Sequence, residues 1–336
     1  MLADVFNYIG RLSLRKAWNI LLVEFSFLLS NLLRRPIIWG KPWFVSIEPS
    51  SLCNLNCPQC PVGEGDISRG SSFLDIGEYK KLILGVAPST CLLSLYFQGE
   101  PLMHKKFMEF VRIASDHGIY TQTSTNGQLL SKEVCRDLVQ AGLDRIIISV
   151  DGLDQESYEK YRKGGDLEKV KKGIKNLVMT RKIVGSKKPL IILQFLVFKH
   201  NQNQVSGVNK MGNSLGADRV WIKTAQVEYP ETADDWIPDN QEYNRYEKDL
   251  SGEWKLRGSL KNRCKRLWET TLITSDGLVV PCCFDKKALF SMGRTGDDKL
   301  EEIWKNNKYQ DFRKKVLSDR KSISICTNCT EGIAGV

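Results

Sequence analysis

The chain has 336 residues, 42% of them apolar, and a formal net charge of +10. That length and apolar fraction suit one large globular domain with an appendage, or two domains, and exclude a disordered or fibrous chain. Ten cysteines is a high count, but seven fall into tight metal-type spacings and no signal peptide with a cleavage site is expected. A cytoplasmic metalloprotein therefore fits better than a disulfide-stapled secreted scaffold. The basic charge favours anionic partners. Much of it lies in helical stretches such as Lys169 to Lys188, where a solvated face accounts for it.

Residues 1–40 open on an apolar run, Ala17 to Leu33, interrupted by Asn19, Glu24, Ser26, Ser30 and Asn31. The run is short for a membrane span, and Glu24 argues against one. On a helical wheel Arg15, Asn19, Ser26 and Ser30 fall on one stripe, with Leu, Ile and Phe elsewhere. Arg11, Arg15 and Lys16 flank one end; Arg34 and Arg35 flank the other. The expectation is a mostly continuous helix over 12–33, ended by Arg35-Pro36. Its apolar surface is not fully covered by the rest of the chain. Two readings stay open: peripheral contact with the inner face of a membrane, or docking on the body of the protein or on a partner.

From Trp43 onward β-like and helical runs alternate. The strands read at 43–49, 91–97, 119–124, 145–150, 190–198 and 219–223, with helices near 75–85, 104–117, 131–141, 154–181 and 201–214. This pattern gives an α/β fold with a parallel sheet. Its six βα units make a partial (β/α)6 barrel of the TIM type, whose active site belongs at the C-terminal ends of the strands.

The first strand runs straight into Cys53-Asn54-Leu55-Asn56-Cys57-Pro58-Gln59-Cys60, three thiols at C-x3-C-x2-C. A [4Fe–4S] cube normally takes four thiolates, so three leave one iron open to substrate or cofactor. A structural zinc site would need a fourth Cys or His close by, and the three His stand at 104, 117 and 200. The next strand ends carry polar turns: Gln98-Gly99-Glu100-Pro101, then Thr123-Ser124-Thr125-Asn126-Gly127, then Ser149-Val150-Asp151-Gly152. Singly, each reads as turn chemistry. Four successive strand ends bearing such groups do not.

Residues 226–262 are polar around Glu228 to Asp235 and read as a connector, either lining the substrate entrance or forming a surface linker. Beyond it stand Cys264, Cys282, Cys283, Cys326 and Cys329. Thr271 to Thr274 and Leu278 to Val280 flank Ser275-Asp276-Gly277, a hairpin signal, and a helix is expected over 298–317. Cys264, Cys282, Cys326 and Cys329 form a four-thiolate set; Cys283 could replace Cys282, and a zinc ribbon is the alternative. Cys91 and Cys135 read as small buried hydrophobes.

The Cys triplet, Gly99-Glu100-Pro101, Thr125-Asn126 and Ser149-x-Asp151 together resemble the radical S-adenosylmethionine (SAM) superfamily over roughly residues 43 to 329. The resemblance implies that Cys53, Cys57 and Cys60 hold a [4Fe–4S] cluster whose fourth iron chelates SAM. It implies SAM contacts from Gln98, Gly99, Glu100, Pro101, Thr125, Asn126, Ser149 and Asp151, with Phe195 and Val197 of the fifth strand against the adenine. Gln98 stands where the family has Gly, and Gln59 where it often has an aromatic residue. The second cysteine group resembles the twitch form of the SPASM extension, which implies one auxiliary [4Fe–4S] cluster on Cys264, Cys282, Cys326 and Cys329. The implied organisation is an N-terminal helical segment over 1–40, the radical SAM core over 41–225, the connector, and an auxiliary-cluster domain over 263–336.

The implied activity is reductive cleavage of SAM to a 5′-deoxyadenosyl radical that abstracts hydrogen from a peptide or small metabolite. The auxiliary cluster moves electrons, and flavodoxin or ferredoxin donates them. Rival expectations are an RNA- or lipid-modifying radical SAM enzyme and a non-enzymatic zinc or iron–sulfur module. No nucleic-acid partner is expected. The sequence names no general acid or base.

Overall fold

Each β-like run of the sequence becomes a parallel strand, and the βα alternation carries the chain from one to the next. The computed structural model describes residues 2–331 and 333. The strands are β1 (Phe44–Ile47), β2 (Leu92–Ser94), β3 (Tyr120–Thr125), β4 (Arg145–Ser149), β5 (Leu190–Val197) and β6 (Arg219–Thr224). The helices between them are α3 (Ile76–Val86), α4 (Phe107–Asp116), α5 (Lys132–Gln140), α6 (Gln155–Tyr161), α7 (Leu167–Val184) and α8 (Val205–Leu215). The strands pair in parallel in sequence order, as in a partial TIM-type barrel.

Strand periodicity sorts the side chains. Ile146, Ile148, Ile191, Leu193, Phe195 and Val197 are fully buried in the core between sheet and helices. The opposite parity of the same strands, Ser149 and Leu196 among them, faces the barrel interior, where Leu196 packs against the cluster of Leu55, Cys57, Tyr161, Phe198 and Ala225. Phe195 and Val197 therefore point away from the interior, and the expected adenine contact is corrected: the inward residues of β5 are Gln194 and Leu196.

The expected helix over 154–181 is two helices. Gly164, in the left-handed region at φ 80°, turns the chain between α6 and α7. A Cβ on Gly165 would stand 2.8 Å from the Tyr158 ring. The expected helix over 298–317 is also two, α11 (Leu300–Lys305) and α12 (Asn307–Asp319). Asn306 separates them because its side chain accepts from Tyr309 N at 2.9 Å and caps α12.

The C-terminal hairpin does not stand apart. Its strands β9 (Thr270–Ile273) and β10 (Leu278–Val280) follow the short α10 (Arg266–Glu269), and β9 pairs in parallel with β1. With β11 (Gly293–Arg294) they extend the barrel sheet to the order β11-β10-β9-β1-β2-β3-β4-β5-β6. The connector is structured as well: α9 (Ala233–Trp236) precedes an antiparallel hairpin, β7 (Tyr246–Lys248) with β8 (Trp254–Leu256). A last short helix, α13 (Ser324–Thr327), delivers the final Cys pair.

The N-terminal segment is two helices, α1 (Leu2–Ile9) and α2 (Leu14–Leu33). Ser13 caps α2, and Arg34 ends it in the left-handed region at φ 52°. Helix α1 closes the N-terminal end of the barrel. Its Asp4 pairs with Arg145 at 2.7 Å and accepts from the Tyr120 hydroxyl, while Asn7 and Arg11 reach the buried carboxylate of Asp144. Helix α2 runs on across the starts of β3, β2, β1 and β9, and it docks by its polar stripe. Lys16 donates to Gly118 O at 2.7 Å, and Asn19 exchanges hydrogen bonds with the Lys41 backbone at 2.8 and 2.9 Å. Ser26 accepts from Trp39 N, and Ser30 accepts from both Ile37 N and the Trp268 indole.

Candidate active site

The loop carrying the Cys triplet leaves β1 at its C-terminal end and is held there by Glu48. This carboxylate is fully buried. It pairs with Arg69 at 2.6 Å and accepts from Gln98 N at 3.1 Å and Ser275 N at 2.9 Å. One side chain thus ties β1, the returning loop, the end of β2 and the β9–β10 turn. Burial raises its pKa, and Arg69 opposes that rise. Two glycines allow the close approach. A Cβ on Gly63 would stand 2.4 Å from Cys57 N, and one on Gly99 2.5 Å from Ser50 O. Gly99 is also left-handed, at φ 67°.

Cys53, Cys57 and Cys60 line one cavity of about 140 Å³ together with Gly99, Glu100, Thr125, Asn126 and Ser149. These come from the ends of β2, β3 and β4. Glu100 is buried and held by three donors, Thr125 Oγ1 at 2.7 Å and Leu102 N at 3.1 Å on Oε1 and Asn126 N at 2.8 Å on Oε2, which leaves it acceptor capacity. Asn126 donates to Asn54 at 2.8 Å and points a second contact at Cys53 Sγ, 3.8 Å away. The other expected residues stand behind this wall. Gln98 accepts from the Cys60 thiol at 3.8 Å, Pro101 opens a buried turn, and Asp151 pairs with Arg162 at 2.6 Å while accepting from Leu196 N at 2.7 Å.

Arg162 lines the cavity and was not legible in the sequence. It lies just past the end of α6, outside any strand-end motif, and its Nη1 stands 3.9 Å from Cys57 Sγ. Gln59 has a role too. Buried beside the triplet, it accepts from Glu228 N at 2.7 Å and Tyr229 N at 3.0 Å and donates to Thr232, so it clamps the connector onto the Cys loop.

Burial pushes the Cys57 thiol up to about 11 and raises Cys53, with Arg162 opposing both. Such thiols stay protonated at neutral pH unless a bound cation holds them as thiolates. Among the described residues no three His, Cys, Asp or Glu side chains converge tightly enough for a single metal ion. A cube places each thiolate on a different iron, so its ligands stand farther apart than those of one ion. Three thiols around a cavity with N–H donors aimed at sulfur fit a cluster better than a lone zinc.

Arg320 links two parts of the second cysteine group. It is buried, donates to Cys329 Sγ at 3.4 Å and to the carbonyl of Arg263, next to Cys264, at 2.8 Å. Burial raises Cys282 well above its ordinary value, and Cys283, Cys264 and Cys329 add to the rise. Burial likewise pushes Cys264 up to about 12 and Cys329 up to about 11. Cys283 is exposed, 3.7 Å from Arg266 Nη1, and belongs to the same neighbourhood. Cys91 and Cys135 are fully buried hydrophobes, as expected.

A family model described as the radical SAM superfamily matches residues 47–185, and one described as SPASM, an iron–sulfur cluster-binding domain, matches residues 264–330. Together they span more than half of the chain. The chain belongs to the radical SAM superfamily. It is a radical SAM enzyme with a SPASM domain, and its cofactors are a [4Fe–4S] cluster, SAM and an auxiliary iron–sulfur cluster. The Cys triplet and the strand ends through Asp151 fall within the first match; Cys264, Cys282, Cys326 and Cys329 fall within the second.

Among curated proteins, this radical SAM chain is 26% identical to the tungsten-containing aldehyde ferredoxin oxidoreductase cofactor-modifying protein of Pyrococcus furiosus, over 85% of this chain and 87% of the relative. It is 30% identical to the PqqA peptide cyclase of Bradyrhizobium diazoefficiens, over 57% of this chain and 48% of the cyclase, so it spans about half of that relative. Among solved structures it resembles SuiB of Streptococcus suis bound to S-adenosylmethionine, with TM-score 0.63 and 16% identity over 87% of this chain and 73% of SuiB. It also resembles anSMEcpe with bound AdoMet, with TM-score 0.61 and 18% identity over 88% of this chain and 92% of that one. At these identities the two structures show the fold.

Proposed function

We propose that Cys53, Cys57 and Cys60 hold the first [4Fe–4S] cluster, and that the strand-end groups around them hold SAM. The observation that carries this reading is one cavity lined by all three thiols and by Gly99, Glu100, Thr125, Asn126 and Ser149. Bound there, the cluster and SAM supply reductive cleavage of the C5′–S bond and a 5′-deoxyadenosyl radical that takes hydrogen from a substrate C–H bond. The chain's own residues do the orienting. Glu100 presents a carboxylate fixed by three donors, suited to the SAM amino group. Gly99 lets the backbone approach closely. Asp151 holds Arg162 against Cys57.

Cys264, Cys282, Cys326 and Cys329 would saturate the auxiliary cluster, leaving it electron transfer as its role. Flavodoxin or ferredoxin would donate the electrons. The substrate class we favour is a peptide, with a small metabolite second, which makes the chain an oxidoreductase or maturase. Support comes from the PqqA peptide cyclase and from SuiB, which has been solved with its precursor peptide SuiA.

Anaerobic reconstitution tests this. About eight irons per chain, from two cubes of four, and 5′-deoxyadenosine on reduction are expected. A Cys326→Ala, Cys329→Ala double variant should lose about half of the iron and still cleave SAM, while losing product formation. Full product from that variant would remove the electron-transfer role.

A further inference from the structure

Docking α2 by its polar stripe leaves its apolar stripe facing out. Leu14 is 92% exposed, Trp18 62%, Phe25 56%, Leu28 60% and Leu32 76%. Among the described residues 18 large hydrophobics are exposed, and 11 of them lie between Val5 and Trp39. Scattered exposed hydrophobics need no explanation, but a contiguous set marks an interaction surface. This set extends past α2. Helix α1 adds Val5, Phe6 and Ile9, and the C-terminal end of α7 adds Met179, Ile183 and Val184. Phe6 shares one groove with Lys182 and Lys187, which joins the α7 end to α1.

The surface occupies one face of the molecule. Gly118, Ser89, Lys41 and Trp268, to which α2 is bonded, each precede a strand start. The face is thus the N-terminal end of the barrel, opposite the Cys loop. Its rim is cationic. Arg15, Arg34 and Arg35 are exposed along α2, and Lys182 and Lys187 at the α7 end. Arg34 donates to Asn262 O at 3.2 Å, which brings exposed Lys261 and Arg263 to the same end. Most acids nearby are engaged, Asp4 with Arg145, Glu24 with Lys265, Asp144 with Arg11 and Lys188, and Asp218 with Arg181, while Asp116 beside Gly118 is exposed and leaves the rim cationic on balance.

We propose that this end of the barrel docks on an anionic lipid surface, with α1 and α2 lying in the interface and the mouth of the barrel facing away. The proposal stands apart from the assignment of the cofactor site. Helix α2 is long and apolar enough to span a bilayer by length and composition, but Lys16, Asn19, Ser26 and Ser30 fasten it to the barrel, so it lies flat. A second copy fits the surface less well. A helix pair would cover the α2 seam alone, and two copies would bring their cationic rims together. A wide apolar face with a basic rim matches a flat, negatively charged surface.

The test is co-sedimentation of the full chain with phosphatidylcholine vesicles, with and without phosphatidylglycerol. Binding should be about tenfold stronger on the anionic vesicles and should weaken with salt. Arg34→Gln with Arg35→Gln should lower that preference. Trp18→Ser, Phe25→Ser and Leu28→Ser together should abolish binding at an unchanged melting temperature, since all three side chains are more than half exposed. A chain that stays in the supernatant with anionic vesicles overturns the proposal. A salt-insensitive dimer that the triple substitution turns into a monomer overturns it in favour of a second copy.

Discussion

Glu48 and Arg69 show what a single pair does here. The carboxylate is fully buried and Arg69 is 3% exposed, with 2.6 Å between them. Removing one partner strands the other charge inside the protein. Glu48→Ala should therefore cost about 3–5 kcal/mol in chemical denaturation, and a cost below about 1 kcal/mol would mean that the pair is solvated. The sequence offered no signal for Glu48 beyond an acid at the end of a strand. Arg162 was invisible for a related reason: its partners, Asp151 and Cys57, come together only in the fold.

His200 sets a pH dependence. Its ring stacks on Phe198, with centroids 5.8 Å apart, and meets Trp236 edge-on, and among the described residues neither ring nitrogen has a hydrogen-bond partner. Burial lowers its pKa from 6.5 to about 4, with Lys160 adding to the fall. The unfolded chain then binds the proton more readily. The stability from neutral His200 is complete above 6.5 and is lost as the pH falls toward 4. His200→Phe should flatten denaturation midpoints over that window; an unchanged slope would place the pH dependence elsewhere.

The elements that the sequence announced most clearly are those with an unmixed period. β4 and β5 are runs of Ile and Leu buried on both faces, and they fall where the apolar runs do. Helix breaks were less legible, because Gly164 and Asn306 act through backbone conformation and a cap rather than through hydrophobic pattern. The docking of α2 was least legible. The sequence placed Arg15, Asn19, Ser26 and Ser30 on one stripe but left open what that stripe meets. Arg15 is exposed, while Lys16, Asn19, Ser26 and Ser30 are buried and bond to the backbone of Gly118, Lys41, Trp39 and Ile37. Ser30→Ala would leave Ile37 N and the Trp268 indole without their acceptor, although the indole keeps Ile37 O. We expect a loss of about 1–3 kcal/mol, measured by thermal and urea unfolding. A neutral substitution would show that this end of α2 is loosely held.

In the whole molecule the barrel, the connector and the C-terminal segment share supports. β9 lengthens the barrel sheet through β1, Gln59 fastens the connector to the Cys loop, and Asn328 donates to Val227 O at 2.7 Å. The sequence located the two cysteine groups because their spacing is local. It did not show that they belong to one continuous sheet, since strand pairing between residues 44 and 270 leaves no local mark. The cavity at the strand ends was legible as a set of turns, and its depth was not: Gly99, Glu100, Thr125, Asn126 and Ser149 line it, while Gln98, Pro101 and Asp151 stand behind.

The proposed meeting place of SAM and the first cluster is this cavity. Formation of 5′-deoxyadenosine by the anaerobically reconstituted, reduced chain tests it most directly, measured beside the Cys57→Ala variant. SAM-dependent product is expected from the parent chain and none from Cys57→Ala, since a cube held as proposed would lose one of its three thiolates. Equal 5′-deoxyadenosine from the two proteins would contradict it.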